Sequence, residues 1–319
     1  MCLLGELTGV DVKPAAAIYG KNQISSEAWA NLKHYISLLK VRPMSAVIYA
    51  AVIGLIAAGA DITVGQGIIA IACIAAGGGG SAALNMWYEA DLDSKMARTS
   101  GRALPAGKVK ARRALLLGTA LCAGSIAIMW LNSGLLAAGM LGATIFAYFG
   151  LYTVMLKRRS WLNVVIGATA AGVLTPLTGW AGAANELPLS AGLMFLFVLF
   201  WTPPHVWSQA MFRSADYARA GVPMLPVAYG MRVTQWAIAV LTVLHSLAAL
   251  LPWWAGDVSG YYALAAGVAG AGLSWKAVRF LQSRDHANTM NSARLFFRQS
   301  IWYVVFVLTS LGLDRILAG

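Results

Sequence analysis

The sequence predicts an all-α, polytopic membrane protein of about nine transmembrane helices in one bundle. Three observations predict it. Of its 319 residues, 59% are hydrophobic and 11% charged. Soluble domains carry about 25% charged residues, so the polar side chains here are too few to cover a water-facing surface. Apolar runs recur along the chain, each close to the roughly 17–25 residues that a helix needs to cross a bilayer. The basic residues, finally, fall almost entirely between alternate runs.

The runs lie at about 44–60, 66–87, 113–131, 134–152, 162–182, 188–207, 233–254, 260–280 and 298–316. Residues 1–43 are mixed and polar, without the basic cluster and short apolar run of a signal peptide. They read as a cytoplasmic segment preceding a transmembrane domain over 44–319. The second run holds Gly77–Gly80, small residues that let helices approach closely in lipid. Asn132–Ser133 and Asn185–Glu186 separate neighbouring runs by so little that each predicts a hairpin. Pro203 and Pro204 disturb the sixth run, and His245 lies in the middle of the seventh. Cys2, Cys73 and Cys122 form no CxxC pattern and read as small packing residues. Tryptophans 87, 161, 201, 207, 253 and 254 fall near run ends, as in an aromatic belt.

Numbering the connections alternately sorts the charge. Lys13, Lys21, Lys33, Lys40 and Arg42 precede the first run, and Lys95, Arg98, Arg102, Lys108, Lys110, Arg112 and Arg113 follow the second. Lys157, Arg158 and Arg159 follow the fourth, and Arg213, Arg219 and Arg232 follow the sixth. Lys276, Arg279, Arg284, Arg294 and Arg298 follow the eighth, which leaves Arg315 alone on the other side. This bias predicts a cytoplasmic N-terminus and an outside C-terminus. It also accounts for the net charge of +12 with a lipid bilayer as partner and without nucleic acid.

Chemistry concentrates after the second run. Asn85, Glu89 and Asp93 follow i, i+4, i+8 spacing and share one helical face. Carboxylates so placed repel, and a bound cation would relieve them. Hard oxygen donors suit Mg²⁺, which is usually held by a few carboxylates and substrate phosphates. Arg98, Arg102, Lys157 and Arg158 stand ready for phosphate oxygens, so the implied ligand is a diphosphate. The alternative is a solvated helix end with ordinary ion pairs. Asp216, the one acid of the connection after the sixth run, is a further possible ligand.

At these residues the sequence resembles the UbiA superfamily of intramembrane prenyltransferases. Asn85, Glu89 and Asp93 match its N/D-x-x-x-D-x-x-x-D motif. Asp91-Leu-Asp93 with Met96, Arg98, Thr99 and Arg102 resembles the D-I-D-x-x-M-x-R-T-x-x-R of the branch that farnesylates protohaem. Tyr152-Thr153 with Leu156-Lys157-Arg158, then Trp201-Thr202-Pro203-Pro204-His205, then Asp216-Tyr217 with Gly221-Val-Pro223-Met224-Leu225-Pro226 resemble that branch in order, over roughly 40–230. Glu89 replaces the usual Asp, Ser160 the usual Thr, and Ala103-Leu104-Pro105 the more common Pro-Leu. The first two changes keep the functional group. The second motif offers one carboxylate rather than a pair, which leaves the metal count open.

The resemblance implies a UbiA-type bundle and transfer of farnesyl from farnesyl diphosphate to the 2-vinyl group of haem b. It implies Mg²⁺ on Asn85, Glu89, Asp93 and Asp216, with Asp91 behind them orienting a basic side chain. Arg98, Arg102 and Lys157, then Arg158 and Arg213, are the implied diphosphate contacts. Tyr152 either assists the chemistry or anchors the interface. His205 either bonds a carbonyl freed by the prolines or meets the haem iron, for which imidazole is a good ligand. His245 carries no motif. A haem A synthase is a candidate recipient of the product. The implied location is a prokaryotic cytoplasmic membrane, or else a mitochondrial inner membrane. Competing readings are an aromatic quinone precursor as acceptor and, from another class, a secondary transporter.

Overall fold

The computed structural model describes Trp29 and residues 31–318, and among these residues it is helical with no strand. Most of the segment 1–43, with Cys2, Lys13 and Lys21, lies outside the described residues. Helix α1, Asn31–Leu38, meets α2, Val41–Ala57, at a bend of 47°. Lys40 makes the bend, with φ 50 and ψ 49, a left-handed conformation uncommon outside glycine. Helix α3, Val64–Tyr88, opens on a capping box in which Thr63 and Gln66 satisfy each other's backbone N–H groups. The short α4, Ala90–Lys95, follows directly.

Helix α5, Ala111–Ile145, runs into a π-helical stretch, Phe146–Leu156. A second π-helical stretch, Asn163–Ala168, leads into α6, Thr169–Ala184, and then α7 spans Leu189–Met211. Short helices α8, Ser214–Arg219, and α9, Leu225–Ala228, connect to α10, Gly230–Ala248, which α11, Leu251–Trp254, extends. Helices α12, Gly260–Phe280, and α13, His286–Ala318, complete the described chain.

Among the described residues, six helices are long and apolar enough to cross a membrane, or seven if the bent α1–α2 pair is one span. The nine runs of the sequence each overlap a helix, and the lower count has identifiable causes. The stretch Ala111–Leu156 counts once at 46 residues, yet Gly134 interrupts it with φ 88 and ψ 178. A Cβ on Gly77 would lie 3.0 Å from Ser125 and 3.1 Å from Leu141. On a straight helix those two would stand about 24 Å apart. The chain therefore doubles back at Gly134, beside the expected Asn132–Ser133 turn. Helix α12 is long enough, but its glycines, two tyrosines and Lys276 dilute its apolarity.

Small residues set the helix crossings. A Cβ on Gly54 would sit 1.9 Å from the Pro176 carbonyl oxygen, and one on Gly179 would sit 2.0 Å from that of Ala51. Helices α2 and α6 thus touch backbone to backbone. Gly80 meets Gly118 of α5 in the same way, so the glycine run of α3 is a packing surface. Cys73 and Cys122 are buried and free. The loop after α4 is tied down by Ala103, Leu104 and Val109, which pack on Leu38, Ala83 and Met86.

The crossing is testable. Gly179→Ala and Gly192→Ala offer equal helix propensity, but nothing lies within 4 Å of a Cβ on Gly192. Thermal unfolding in detergent should show Gly179→Ala destabilised by about 1–3 kcal/mol and Gly192→Ala unharmed. Equal effects would refute the close contact.

Candidate active site

The acidic row keeps helical spacing although α3 and α4 are separate helices. The Glu89 N–H donates to the Asn85 carbonyl at 2.9 Å, and the Asp93 N–H donates to that of Glu89 at 2.8 Å. Asn85, Glu89 and Asp93 therefore share a face, at only 1%, 3% and 4% exposure. Asp91 points away, with its side chain 54% exposed.

Each member of the row is held by a cation from another segment. Lys40, at the α1–α2 bend, donates to Asn85 Oδ1 at 2.5 Å. Arg102, from the loop after α4, donates to both oxygens of Asp93 at 2.9 and 2.7 Å. Lys157 Nζ lies 2.6 Å from either oxygen of Glu89 and donates to Oε2, while Oε1 stays buried without a hydrogen bond. Arg158 grips Asp91 with two bonds of 2.8 and 2.6 Å and also donates to the Tyr88 carbonyl at 3.0 Å.

The π-helical stretch aims these partners. Its i→i−5 bonding appears in the Lys157 N–H, which reaches the Tyr152 carbonyl at 2.9 Å. Thr153 Oγ1 likewise donates to the Tyr148 carbonyl at 2.9 Å and accepts from Asn85 Nδ2 at 3.0 Å. The Tyr152 ring lies under the Lys157 ammonium, 5.4 Å from its centroid, and stacks on Tyr148 at 5.9 Å.

Burial, and then the charge of Arg102, lower the Lys40 ammonium to about 7. Burial also works against the charge on Lys157, but Glu89 outweighs it and the pKa is raised. The Arg158 hydrogen bonds hold the Asp91 carboxyl below its ordinary value. Arg98 is lowered by burial and then by the nearby charges of Arg102 and Arg213, so these basic groups form one cluster.

The donor set fits a hard divalent cation. Asn85, Glu89 and Asp93 present oxygen atoms on one buried face, and Glu89 Oε1 accepts no hydrogen bond although the Lys157 ammonium is beside it. Asp216, expected as a further ligand, pairs with Arg219 one turn along α8. Among the described residues no three Asp, Glu, His or Cys side chains stand together as a metal cage. Lys40 and Thr153 are partners that sequence spacing did not reveal. So is Tyr217, which is buried and within electrostatic reach of Lys157 and Arg98. Its place beside Asp216 in the second motif was the one available signal.

His205 sits in α7 between two flat rings, Trp201 and Phe297, each with its centroid 4.5 Å away and nearly parallel. Its Nδ1 meets Ser300 Oγ at 2.9 Å, rather than a carbonyl freed by the prolines. Ser300 spends its hydroxyl proton on the Phe297 carbonyl at 2.9 Å. Nδ1 must then carry the hydrogen of that contact, which leaves the Nε2 lone pair open. His245 is 1% exposed and donates from Nδ1 to the Phe197 carbonyl at 3.0 Å. It is a buried histidine remote from the row by every contact it makes. The two half-sites adjoin. Arg213 lies near Arg98 on one side and over the Phe212 ring, at 5.7 Å, on the other, and Phe212 packs edge-on against Phe297 at 5.9 Å.

Residues 46–301 match the model of the UbiA prenyltransferase family. The chain is 39% identical over 313 residues to the protoheme IX farnesyltransferase of Granulibacter bethesdensis, across 94% of this chain and 98% of that protein. It is 41% identical over 289 residues to the protoheme IX farnesyltransferase of Rhizobium etli, across 91% of each. Among solved structures, one of digeranylgeranylglyceryl phosphate synthase superposes with a TM-score of 0.72 at 18% identity, over 90% of this chain and 99% of that one. A UbiA homologue from Archaeoglobus fulgidus bound to DMAPP and Mg²⁺ superposes with a TM-score of 0.60 at 16% identity, over 86% and 99%. At these identities the superpositions establish the fold.

The ion pairs differ in worth. The side chains of Lys157 and Glu89 are 14% and 4% exposed, so Lys157→Met strands a buried charge and should cost about 3 kcal/mol or more. Adding Glu89→Gln should recover most of that loss. Asp91→Asn, at an exposed pair, should cost less than about 1 kcal/mol. A double-mutant cycle on thermal unfolding measures the coupling, and additive effects would disprove it.

Proposed function

The chain belongs to the UbiA prenyltransferase family, and on that premise we propose that it farnesylates haem b. The farnesyl group of farnesyl diphosphate goes to the 2-vinyl group, water adds, and haem O and diphosphate are released. The observation that carries this reading is the junction of two half-sites. A buried row of oxygen donors, ringed by cations, runs through Arg213 and Phe212 to a histidine held between flat rings with its Nε2 open. Relatives about 40% identical over nearly the whole chain carry the name protoheme IX farnesyltransferase.

Charge develops on the departing diphosphate, and fixed cations stabilise it. Arg98, Arg102 and Lys157, with Arg158 and Arg213, are assigned to its oxygens, where arginine offers a two-pronged fork. Asn85, Glu89 and Asp93, joined by Asp216, are the assigned holders of Mg²⁺. When bound, Mg²⁺ would supply Lewis-acid neutralisation of the leaving group. Asp91 fixes the direction of Arg158. Tyr152 offers its ring face to positive charge beneath Lys157. The farnesyl tail belongs among the apolar helices, and the vinyl carbon attacks the allylic carbon as diphosphate departs.

His205 is assigned to the haem iron through Nε2. A quinone precursor as acceptor would leave that open nitrogen without a partner. The transmembrane domain is assigned to 44–319 and a cytoplasmic segment to 1–43. The charge bias supports an N-terminus in the cytoplasm and a C-terminus outside a bacterial cytoplasmic membrane, where a haem A synthase could take the product.

Purified protein given haem b, farnesyl diphosphate and Mg²⁺ should yield haem O by mass spectrometry, and chelator should abolish it. Bound farnesyl diphosphate without haem O would redirect the reading to another acceptor. Glu89→Gln or Asp93→Asn should lower turnover about a hundredfold or more, and wild-type rates would sink the metal assignment. His205→Ala should weaken haem binding while sparing farnesyl diphosphate; an unchanged haem spectrum would remove it from the site. For topology, Glu186→Cys should label from outside intact cells and Lys108→Cys should not. The reverse pattern would invert the orientation.

A further inference from the structure

Two guanidiniums lie close to the ring of Phe212, at the end of α7. Arg213 Cζ lies 5.7 Å from the centroid and Arg294 Cζ, from the first turns of α13, lies 5.5 Å away. Among the described residues neither arginine is in an ion pair. The one side-chain hydrogen bond of Arg294 is a long contact of 3.4 Å to Asn291 in its own helix. Two like charges converge on one ring without an anion between them, and a ligand with negative charge would relieve their repulsion. Arg213 is also within electrostatic reach of Arg98, so on the proposed reading it borders the diphosphate site as well. Arg294 has no such second duty.

The next ring along is Phe297, which packs on Phe212 and stacks on His205. A ligand that reaches the open Nε2 edge of His205 is therefore linked to this pair of arginines through Phe297 and Phe212. Arg213 follows the end of α7 and Arg294 lies in the first turns of α13, and the charge bias assigns both to the side of the acidic row. An amphiphile held there keeps its charged groups at the water boundary and its flat apolar body among Trp201, Phe297 and Phe212.

We propose that Arg294, with Arg213, binds the carboxylates of the porphyrin acceptor, and that this subsite selects a flat aromatic substrate bearing acid groups. The proposal rests on haem b being the acceptor. Guanidinium suits it because its planar fork matches a carboxylate.

The test uses full-length protein in neutral phosphatidylcholine vesicles. Haem b and haem b dimethyl ester are titrated into wild type, Arg294→Ala and Arg294→Lys, followed by haem absorption, with KM measured for both substrates. Wild type should prefer the free acid. Arg294→Ala should bind haem b about tenfold more weakly, the loss expected for one charge-assisted hydrogen bond. Its KM for haem should rise and its KM for farnesyl diphosphate should not. The ester should bind wild type and variant alike, and Arg294→Lys should recover part of the loss. Free acid and ester weakened equally by Arg294→Ala would show a structural role and overturn the proposal. An effect that appears only when anionic lipid is added would assign the arginines to lipid phosphate and overturn it too. A haem-binding wild type with an unaffected variant sinks this proposal alone. A wild type that binds neither haem nor ester sinks the reading of function with it.

Discussion

A buried charge must be matched, and most of the site's architecture answers to that rule. Glu89 and Asp93 lie at the end of a membrane-length helix with almost no access to water. An unpaired carboxylate there would cost several kcal/mol, roughly, even after relaxation. The chain meets the demand with cations drawn from well-separated segments, Lys157 for Glu89 and Arg102 for Asp93, while Lys40 serves the neighbouring amide of Asn85. Each of these contacts also fixes a backbone segment. The bend before α2, the loop after α4 and the end of the fourth apolar run are all held in place by the row they neutralise. A polyanion entering this site must offer the lysines and arginines better partners than the acids do, and a divalent cation must do the same for the acids. On the proposed reading, the two ligands would therefore favour one another's entry.

The two halves of the site are joined by side chains rather than by chain continuity. Arg213 and Phe212 sit where α7 ends, between the cationic cluster and the ring stack on His205. Ser300 of α13 orients the imidazole, and Trp201 of α7 in turn donates to the Ser300 carbonyl at 2.8 Å. Helices α7 and α13 thus clamp one histidine from two sides. Bringing two apolar reactants to fixed positions beside each other is itself a large part of such catalysis.

Much of this was legible in the sequence because it is encoded locally. Apolar runs located the helices, and Asn132–Ser133 marked the doubling back that Gly134 carries out. The shared face of Asn85, Glu89 and Asp93 survived the break at Glu89 because the backbone bonds there keep helical spacing. What stayed hidden is non-local. Lys40 meets Asn85 across 45 positions and Ser300 meets His205 across 95, and no spacing rule connects them. Asp216 was legible only by its shared membrane face; its pairing with Arg219, three residues away on the same helix, is a local contact that its spacing allows. The π-helical register left no compositional trace, although it decides which way Thr153 and Lys157 point.

That register separates folding from chemistry in a way open to evolution. A π-helical stretch is related to an α-helical one by an inserted residue, and such stretches cluster at functional positions. Loss of one residue between Phe146 and Tyr152 would turn everything beyond it by about 100°. The segment would remain apolar and long enough for its place in the bundle. Lys157, however, would swing away from Glu89, and Thr153 from Asn85. A single codon lost or gained there is thus enough to silence or redirect the site while the bundle stays intact.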